Sequence, residues 1–599
     1  MPMAEPSTKG WRDFATLRTT RSGLRRRARK LETASLKHAR TFIVERFDSV
    51  KSVRRQALGW LTVVGLLICV SVFQLLGYQR SYSVITTVAG GTYAEGVSGK
   101  LETMNPILVR TPAEQSASRL IFSGLLSYDE TGHLRGELAK SWRVENSGLR
   151  YVVDLQPGVT WHDGKPLTAD DVVFTVGLIK NQLVRSPLQP SWSQIKVVKL
   201  SSTSVAFDLA RIYAAFPHAL TFGVLPRHIL GSLPPEKLRE SDFNRQPIGS
   251  GPFRFDHLQV INPDEGRLIV YLTGNPTYVR GQPRLERMQL HVFQDSSRIE
   301  KSFLASEINA ATDLTSDQVN AIATTKQDAL VYRTTLLNGM YAFMRNDTTL
   351  FGDKTVRKAF VLATDRAAII KALHGYASPL NGPLTVEQLP SSQSKRQATA
   401  NASQAAALLD QAGWQLRDGK RSKDGQPMKI NLVSSTSGDY PKVVAELKKQ
   451  WEAIGATVTT RLVPPESFQQ LIVLPRDYDA LVYELQLGAD PDVFAYWHSS
   501  QADPRGLNLS NYKSDVSSDA LSSAQLRLEP SLRLPKYQLF VDTWLEDAPA
   551  IALYQPQLHY VTTDDLSSIR IMNAVVDRTD RYRMVELWTA TRGWRYASP

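Results

Sequence analysis

The chain has almost no cysteine, since Cys69 is the only one in 599 residues. A single cysteine excludes an internal disulfide framework and any metal site built from several thiolates. The ten histidines are scattered without the spacing of a metal-binding motif. The sequence also lacks the nucleophile elbow G-x-S-x-G, the zinc motif H-E-x-x-H and the phosphate-binding G-x-x-x-x-G-K-[ST]. We therefore expect no enzyme activity, no cofactor and no metal.

An excess of positive charge is also missing from most of the chain. Of the net charge of +13, residues 1–56 carry the larger part, with 15 Lys and Arg against 5 Asp and Glu. The remaining 543 residues hold 56 basic and 53 acidic side chains and are nearly neutral. A nucleic-acid-binding body needs a basic surface. We therefore expect no nucleic-acid partner.

Long apolar runs are scarce, and the chain has one, Ala57–Gly77. Its 21 residues include no charged side chain, and about 20 apolar residues can cross the hydrocarbon core of a bilayer. We therefore predict a single transmembrane anchor at residues 57–78. A cleaved signal peptide is the alternative, but the basic segment before the run is long and no A-x-A site follows it.

The residues that flank this run predict its orientation. Arg54 and Arg55 precede it, and Trp60 and Tyr78 fall at the depths of the two membrane interfaces. The positive-inside rule places residues 1–56 in the cytoplasm, as a basic and partly helical tail, and the rest of the chain outside the plasma membrane. The tail either contacts anionic lipid headgroups or is a solvated helix that only orients the anchor.

The segment Arg150–Lys180 has the most informative local pattern. Alternating apolar residues from 149 to 155 predict a half-buried strand. Turn residues follow, and Thr168 with Asp171 then predicts a capping box at the start of a helix. We interpret His162, which stands beside a turn, as a structural residue rather than a ligand of a site.

This order of strand, turn and helix, with the letters PGVTWHDGKPLTADDVVFT, resembles the family 5 extracellular solute-binding proteins. These are the peptide, oligopeptide and nickel receptors of ABC importers. The resemblance covers about residues 84–560. Further segments that resemble motifs of the family are Glu102–Pro106, Ile121–Leu126, Leu138–Trp142, Pro247–Phe253, Asn275–Tyr278, Val356–Phe360, Ala363–Arg366, Gly488–Phe494, Asn508–Tyr512 and Asp547–Tyr554.

The resemblance implies an α/β fold of the two-lobed periplasmic-binding-protein type (type II, large cluster C-like) with a hinge. We expect lobe I at 82–335, lobe II at 336–547, and a return to lobe I with a C-terminal tail at 548–599. The pattern of lobe II supports this independently. Residues 428–434, 442–454 and 457–463 are typical of a βαβ unit, which implies parallel strands and a right-handed crossover.

The resemblance also implies a function, the capture of a peptide or peptide-like solute between the lobes and its delivery to ABC permease subunits. A ligand sensor or scaffold that signals through the membrane helix is an alternative, and a cell-wall hydrolase is a weaker one. The candidate ligand-binding residues are Tyr93, Arg345, Asn346, Glu484, Gln486, Leu487 and Trp497.

Leu487 bears on the identity of the ligand. In dipeptide-type members of the family, an Asp three positions before the D-P-D segment pairs with the α-amine of the ligand. Counting back from Asp490, that position holds Leu487. The usual charge-assisted anchor is therefore absent here, unless Glu484 replaces it. This argues against recognition of a free α-amine and leaves blocked peptides, glycopeptides or another solute open.

Overall fold

The computed structural model describes residues 47–87, 89–389, 395–567, 569, 574–590 and 592–596. The first 46 residues of the predicted cytoplasmic tail lie outside these described residues. The chain divides into two compact units. One contains the N-terminal helix, and the other, Thr87–Arg592, is called the body below.

The N-terminal unit is built on one long helix, Phe47–Tyr82, of 36 residues. Its segment Gln56–Leu75 is, among the described residues, the one stretch of helix long and apolar enough to cross a membrane, a test that a signal sequence also passes. The apolar side chains of this segment are exposed, with Phe73 at 80%. The hydroxyl of Thr62 donates to the carbonyl of Leu58 at 2.8 Å, so this polar group is satisfied within the helix, as a bilayer requires.

A two-stranded sheet completes this unit. Strand Ser83–Thr87 pairs with strand Arg592–Tyr596.

Within the described residues of the body, thirteen strands form one mixed sheet. Its main path, in spatial order, is Thr457–Val463, Lys429–Ser435, Ala480–Gln486, Asn338–Met344, Ala550–Thr563, Ala310–Ala311, Thr92–Ser98, Arg287–Phe293, Arg267–Gly274 and Phe253–Asn262. Off this path are Ala329–Leu336, Ala377–Pro379 and Ala574–Val575.

Smaller sheets and helices surround the main sheet. The smaller sheets contain Leu126–Tyr128 with Leu134–Gly136; Ala139–Glu145, Arg150–Leu155, Ser204–Asp208 and Lys196–Ser201; and Gln415–Arg417, Lys420–Lys423 and Gln426–Pro427. The α-helices are Pro112–Ile121, Ala169–Lys180, Gln189–Trp192, Arg227–Leu230, Ser296–Leu304, Ser316–Thr325, Lys354–Ala363, Arg366–Ala372, Ala402–Gln411, Tyr440–Ala453, Pro465–Phe468, Phe494–Trp497, Asp515–Gln525 and Pro530–Asp547. Short 3₁₀ segments are Asn146–Gly148, Phe216–Thr221, Pro235–Glu240, Asp242–Asn244, Ser499–Gln501 and Arg578–Leu587, and Gln469–Val473 is a π turn.

The buried side chains divide the body into two lobes. Those of residues 93–336 and 558–588, with Tyr376, form two cores that we call lobe I. Those of residues 340–554 form two further cores, which we call lobe II. Along strand Asn338–Met344 successive side chains alternate between the two cores of lobe II, because a strand directs neighbouring residues to opposite faces of its sheet.

The βαβ unit predicted in lobe II is present. Strand Lys429–Ser435 runs parallel to strand Thr457–Val463, and helix Tyr440–Ala453 joins them. The two strands pair with each other over seven residues.

The segment Arg150–Lys180 also folds as predicted, into strand Arg150–Leu155 and helix Ala169–Lys180. Asp171 accepts a hydrogen bond from the backbone N–H of Thr168 at 2.8 Å, which caps the helix. The other oxygen of Asp171 accepts from the N–H of Arg227 at 2.9 Å. This carboxylate therefore also fixes a segment far away in the sequence.

His162 holds a tight turn in place. Its Nδ1 accepts from the N–H of Gly249 at 3.2 Å, and its Nε2 donates to the carbonyl of Gly251 at 3.1 Å. Only a neutral imidazole can accept on one nitrogen and donate from the other. The turn needs glycine, because a Cβ at Gly249 would stand 1.9 Å from the carbonyl oxygen of Ile121.

This arrangement predicts a contribution of His162 to stability that depends on pH. Burial lowers the pKa of His162 from 6.5 to about 4. The unfolded chain therefore binds a proton that the folded chain rejects, and the contribution is complete above about pH 6.5 and lost as the pH falls towards 4. We expect His162→Gln to flatten the dependence of unfolding free energy on pH in this window by about 3 kcal/mol, measured by urea unfolding.

A wild-type slope that survives in His162→Gln would contradict the assignment of a neutral, buried imidazole.

The boundary between the two units predicts the behaviour of a truncated chain. The body contains its own cores, whereas the apolar segment Gln56–Leu75 contributes to none of them. We expect deletion of residues 1–78 to give a soluble protein with one cooperative thermal transition, monitored by circular dichroism and size-exclusion chromatography. The full chain in detergent serves as the control. Aggregation of the truncated chain under conditions that suit the full chain would show that the boundary is wrong.

Candidate functional site

The wall of the cleft contributed by lobe II is the loop that follows strand Ala480–Gln486. Asp490 in this loop accepts two hydrogen bonds from the guanidinium of Arg533, at 2.7 and 2.5 Å. Asp490 also accepts from the N–H of Asp492 at 3.0 Å. This carboxylate is thus saturated by the protein, and it holds the shape of its own turn.

Asp492 also accepts several hydrogen bonds, but all of its donors are neutral groups. Its two oxygens accept from Nε2 of Gln525 at 3.0 and 2.9 Å, and one of them also accepts from the N–H of Phe494 at 3.2 Å. Burial raises the pKa of Asp492, and the hydrogen bonds from Gln525 and Phe494 oppose that rise.

The wall contributed by lobe I contains a cavity of about 460 Å³. It combines aromatic and aliphatic side chains with a few polar groups. The residues that line this cavity include Gln115, Ser118, Arg119, Phe122, Leu188, Ser191, Trp192, His218, Phe222, Asp577 and Thr579. Cavities of about 300–1,000 Å³ with this kind of lining are the usual sites for small ligands.

Helix Pro112–Ile121 presents three of the polar side chains to the cavity. Gln115, Ser118 and Arg119 lie three and four residues apart and therefore on one face of the helix. The helix is fixed at its start by a capping box in which the Thr111 side chain accepts from the N–H of Glu114.

The charge of Arg119 is compensated within lobe I. Its guanidinium contacts the carboxylate of Glu137 at 3.2 Å, and the same carboxylate oxygen accepts from the hydroxyl of Tyr278 at 2.9 Å. Burial alone would lower the pKa of Arg119, but the adjacent Glu137 raises it above its ordinary value. Arg119 therefore lines the cavity as a member of an ion pair with Glu137.

The two lobes contact each other beside this cavity. The guanidinium of Arg578 in lobe I lies 3.9 Å from the carboxylate of Glu484 in lobe II, which also accepts from Nδ2 of Asn338 at 2.6 Å. Elsewhere along the cleft, the N–H of Ala214 donates to the carbonyl of Gln525 at 3.2 Å. These contacts join the two lobes in this structure.

Three of the residues predicted to bind ligand lie where the chain crosses between the lobes. Glu484 forms the contact with lobe I just described. Gln486 is exposed, and its carbonyl accepts from the hydroxyl of Tyr496 at 2.7 Å. Leu487 is buried, and its N–H donates to the carbonyl of Leu337 at 3.1 Å. Their contact with a ligand remains a prediction.

Two other predicted residues lie at the opposite end of strand Asn338–Met344. Arg345 forms two hydrogen bonds with Asp347, at 3.0 and 2.9 Å. The side-chain amide of Asn346 donates to the carbonyls of Met344 and Ser510 at 2.7 and 3.0 Å. The structure therefore does not bring these residues together with Glu484.

The two predicted aromatic residues are fully buried. The ring of Tyr93 lies 5.2 Å from that of Trp588 in lobe I. The ring of Trp497 lies 5.3 Å from that of Trp544 and 5.6 Å from that of Phe343 in lobe II. In this conformation both rings are parts of hydrophobic cores.

The sequence did not indicate that His218 and residues of the segment 577–579 contribute to the wall of the cavity. The one local signal was the pair Asp577 and Asp580, which forms a capping box at the start of segment Arg578–Leu587. This signal predicts a turn and not a site. The position of these residues on the cavity depends on contacts with residues hundreds of positions away.

The arrangement of two α/β lobes around a cleft defines the class of two-lobed periplasmic-binding-protein folds. AppA from Bacillus subtilis, solved in complex with a nonapeptide, superposes with a TM-score of 0.69 at 27% identity, covering 84% of this chain and 99% of that one. NikZ from Campylobacter jejuni, solved with Ni(L-His), superposes with a TM-score of 0.70 at 26% identity, covering 83% and 99%. The predicted fold class is confirmed.

The chain belongs to the bacterial extracellular solute-binding proteins, family 5, whose model (described as "family 5 Middle") matches residues 133–505. The oligopeptide-binding protein AppA of Bacillus subtilis is 28% identical over 523 residues, which cover 84% of this chain and 92% of AppA. A putative ABC transporter peptide-binding protein of Brucella ovis is 27% identical over 427 residues, 70% of this chain and 78% of that protein. Membership of an extracellular family places the body outside the cytoplasm.

Proposed function

We propose that this protein is a membrane-anchored receptor that captures a peptide or peptide-like solute between its lobes and delivers it to an ABC importer. The observation that carries the proposal is the cavity of about 460 Å³ on the wall of the cleft. The proposal is supported by the relatives, since AppA is named as an oligopeptide-binding protein and was solved with a nonapeptide.

The lining of the cavity suits a peptide-like solute. Trp192 and Phe222 supply apolar faces, and Gln115, Ser118 and Thr579 supply donors and acceptors. A peptide backbone needs both kinds of hydrogen-bonding partner. Neutral polar groups provide these partners without demanding one particular side chain, and waters can fill the remaining space.

Closure couples binding to delivery. Each lobe presents one half of the contacts Ala214–Gln525 and Arg578–Glu484, so these contacts form only when the lobes meet. A solute that touches both walls binds the closed state better and therefore shifts the population towards it. The permease subunits then recognise the loaded receptor by the relative position of its lobes.

The N-terminal helix supplies the anchor in this proposal. Its exposed apolar segment of 20 residues matches the thickness of a bilayer. The basic residues that precede it place residues 1–56 on the cytoplasmic side, next to anionic lipid. Tethering keeps the receptor close to the permease at the outer face of the membrane.

Native mass spectrometry of the full chain in detergent micelles tests the proposal. We expect a co-purified solute that unfolding releases and that fragments as a peptide or a peptide derivative. Peptides that bind should raise the free energy of unfolding, by about 2.7 kcal/mol at a concentration one hundred times the Kd. Absence of both effects, or turnover of the added peptides, would contradict the proposed receptor.

Two neighbouring serines provide a matched pair of variants for this experiment. Ser191 lines the cavity, whereas the exposed Ser193 is not among its lining residues. Ser191→Trp should fill part of the cavity and abolish solute capture, and Ser193→Trp should retain it. Equal capture by both variants would place the ligand elsewhere.

A further inference from the structure

The side-chain amide of Gln388 binds the loop of residues 487–493, which forms the lobe II wall of the cleft and is called the cleft loop below. Its Nε2 donates to the carbonyl oxygens of Leu487, Gly488 and Asp490, at 3.2, 3.0 and 3.0 Å. Its Oε1 accepts from the N–H of Thr385 at 3.0 Å, which fixes the orientation of the amide. Gln388 is 8% exposed. One buried amide therefore serves three backbone carbonyls of the wall.

The first two residues of the cleft loop are also held through their N–H groups. Those of Leu487 and Gly488 both donate to the carbonyl of Leu337, at 3.1 and 3.0 Å. Leu337 separates a strand of lobe I from a strand of lobe II and therefore lies where the chain crosses between the lobes. The backbone of these two residues is thus bonded at the N–H groups by the crossing and at the carbonyls by Gln388.

The segment that carries Gln388 is itself attached between the lobes. Strand Ala377–Pro379, which precedes it, pairs with strand Ala550–Thr563. That strand also pairs with strands of both lobes. The side chain of Gln388 therefore connects the cleft loop to a segment fixed where the lobes join.

The cleft loop depends on such outside contacts for its shape. Its residues form neither helix nor strand, so no regular ladder of backbone hydrogen bonds holds them. Gly488 has a φ of 75°, and glycine adopts many other conformations with equal ease. The pair of Asp490 and Arg533 fixes the middle of the loop. Gln388 supplies the corresponding constraint on the residues before Asp490.

We infer that Gln388 is a positioning residue of the receptor, which holds the cleft loop in its binding shape before a solute arrives. This inference rests on the proposed receptor function and assigns the shaping of one wall to a residue outside that wall. A wall that is already ordered binds more tightly, because the solute does not have to order it. A cleft loop without Gln388 would also leave buried carbonyls unpaired, which is costly.

The variant Gln388→Met tests the inference, because it keeps the length of the side chain and removes its donors. In the full chain in lipid nanodiscs, we expect the N–H groups of Leu487 and Gly488 to exchange with deuterium about tenfold faster, measured by mass spectrometry. Isothermal titration calorimetry with Ala-Ala-Ala and with N-acetyl-Ala-Ala-Ala-amide measures binding. We expect the peptide that the wild-type chain binds more tightly to bind the variant about tenfold more weakly.

Gln397→Met is the matched control. Gln397 lies in the same lobe and is 6% exposed. Its side-chain amide binds both backbone groups of Ala552, at 3.3 and 2.9 Å, and not the cleft loop. The control should lower the free energy of unfolding, measured with urea, but retain the affinity for the peptide and the slow exchange of the cleft loop.

The variant Gln388→Glu adds a readout that a loss of stability alone would not change. An ionised carboxylate has no donor and would face three carbonyl oxygens, whereas a protonated carboxyl group donates one hydrogen bond. We expect the affinity of this variant, relative to the wild-type chain, to rise several-fold between about pH 8 and pH 5. Asp490 and Arg533, the charged pair at the loop, occur in both proteins, so their titration cancels from the ratio.

The outcomes separate the inference from the function on which it rests. Unchanged affinity in Gln388→Met, whatever its exchange rates, would overturn the role of Gln388 and leave the receptor intact. An equal loss of affinity in Gln397→Met would do the same, because any buried glutamine would then have the effect. Failure of both peptides to bind the wild-type chain would overturn the proposed function together with the inference.

Discussion

The geometry of the body depends on one strand that belongs to both lobes. Ala550–Thr563 pairs through its first half with strand Asn338–Met344 of lobe II and through its second half with strand Ala329–Leu336 of lobe I. Because backbone hydrogen bonds fix a strand of each lobe to this one strand, the two lobes are joined along it. Rotation about the shared strand brings the remaining surfaces of the lobes together or apart, and the space between these surfaces is the cleft.

The charges of the cleft follow from that arrangement. Closing the lobes removes water from polar side chains on both walls, which is costly unless each group finds a partner. The protein meets this cost with Arg533 for Asp490 and with Gln525 for Asp492. Asp577 is held in its own turn by the N–H and the hydroxyl of Thr579.

The fold could be predicted from the sequence because its signals are local. The capping box of Thr168 and Asp171 and the βαβ unit of lobe II each lie within a few dozen residues, where spacing reports the face of a helix or strand. The segment Pro247–Phe253, which contains Gly249, was identified by its resemblance to a family motif, but its dependence on His162 was not predicted. That contact joins segments almost ninety residues apart, which periodicity cannot reveal.

The candidate site could be predicted only in part for the same reason. Glu484 lies at the crossing between the lobes, but Arg345 and Asn346 occupy the far end of a strand that leads there. Polar residues near a strand end look alike in sequence, and the direction of the chain relative to the hinge decides which end faces the ligand. Asp577 was missed because its turn signal explains its presence without reference to a cavity.

The adjacency of Asp577 and Arg578 places the cavity beside a contact between the lobes. Asp577 lines the cavity, while Arg578 reaches the carboxylate of Glu484 in lobe II. Although burial opposes it, the pKa of Arg578 is raised by the negative charges of Glu484, Asp313 and Asp577 together. Arg578 therefore stays charged where the lobes meet, because carboxylates of both lobes surround it.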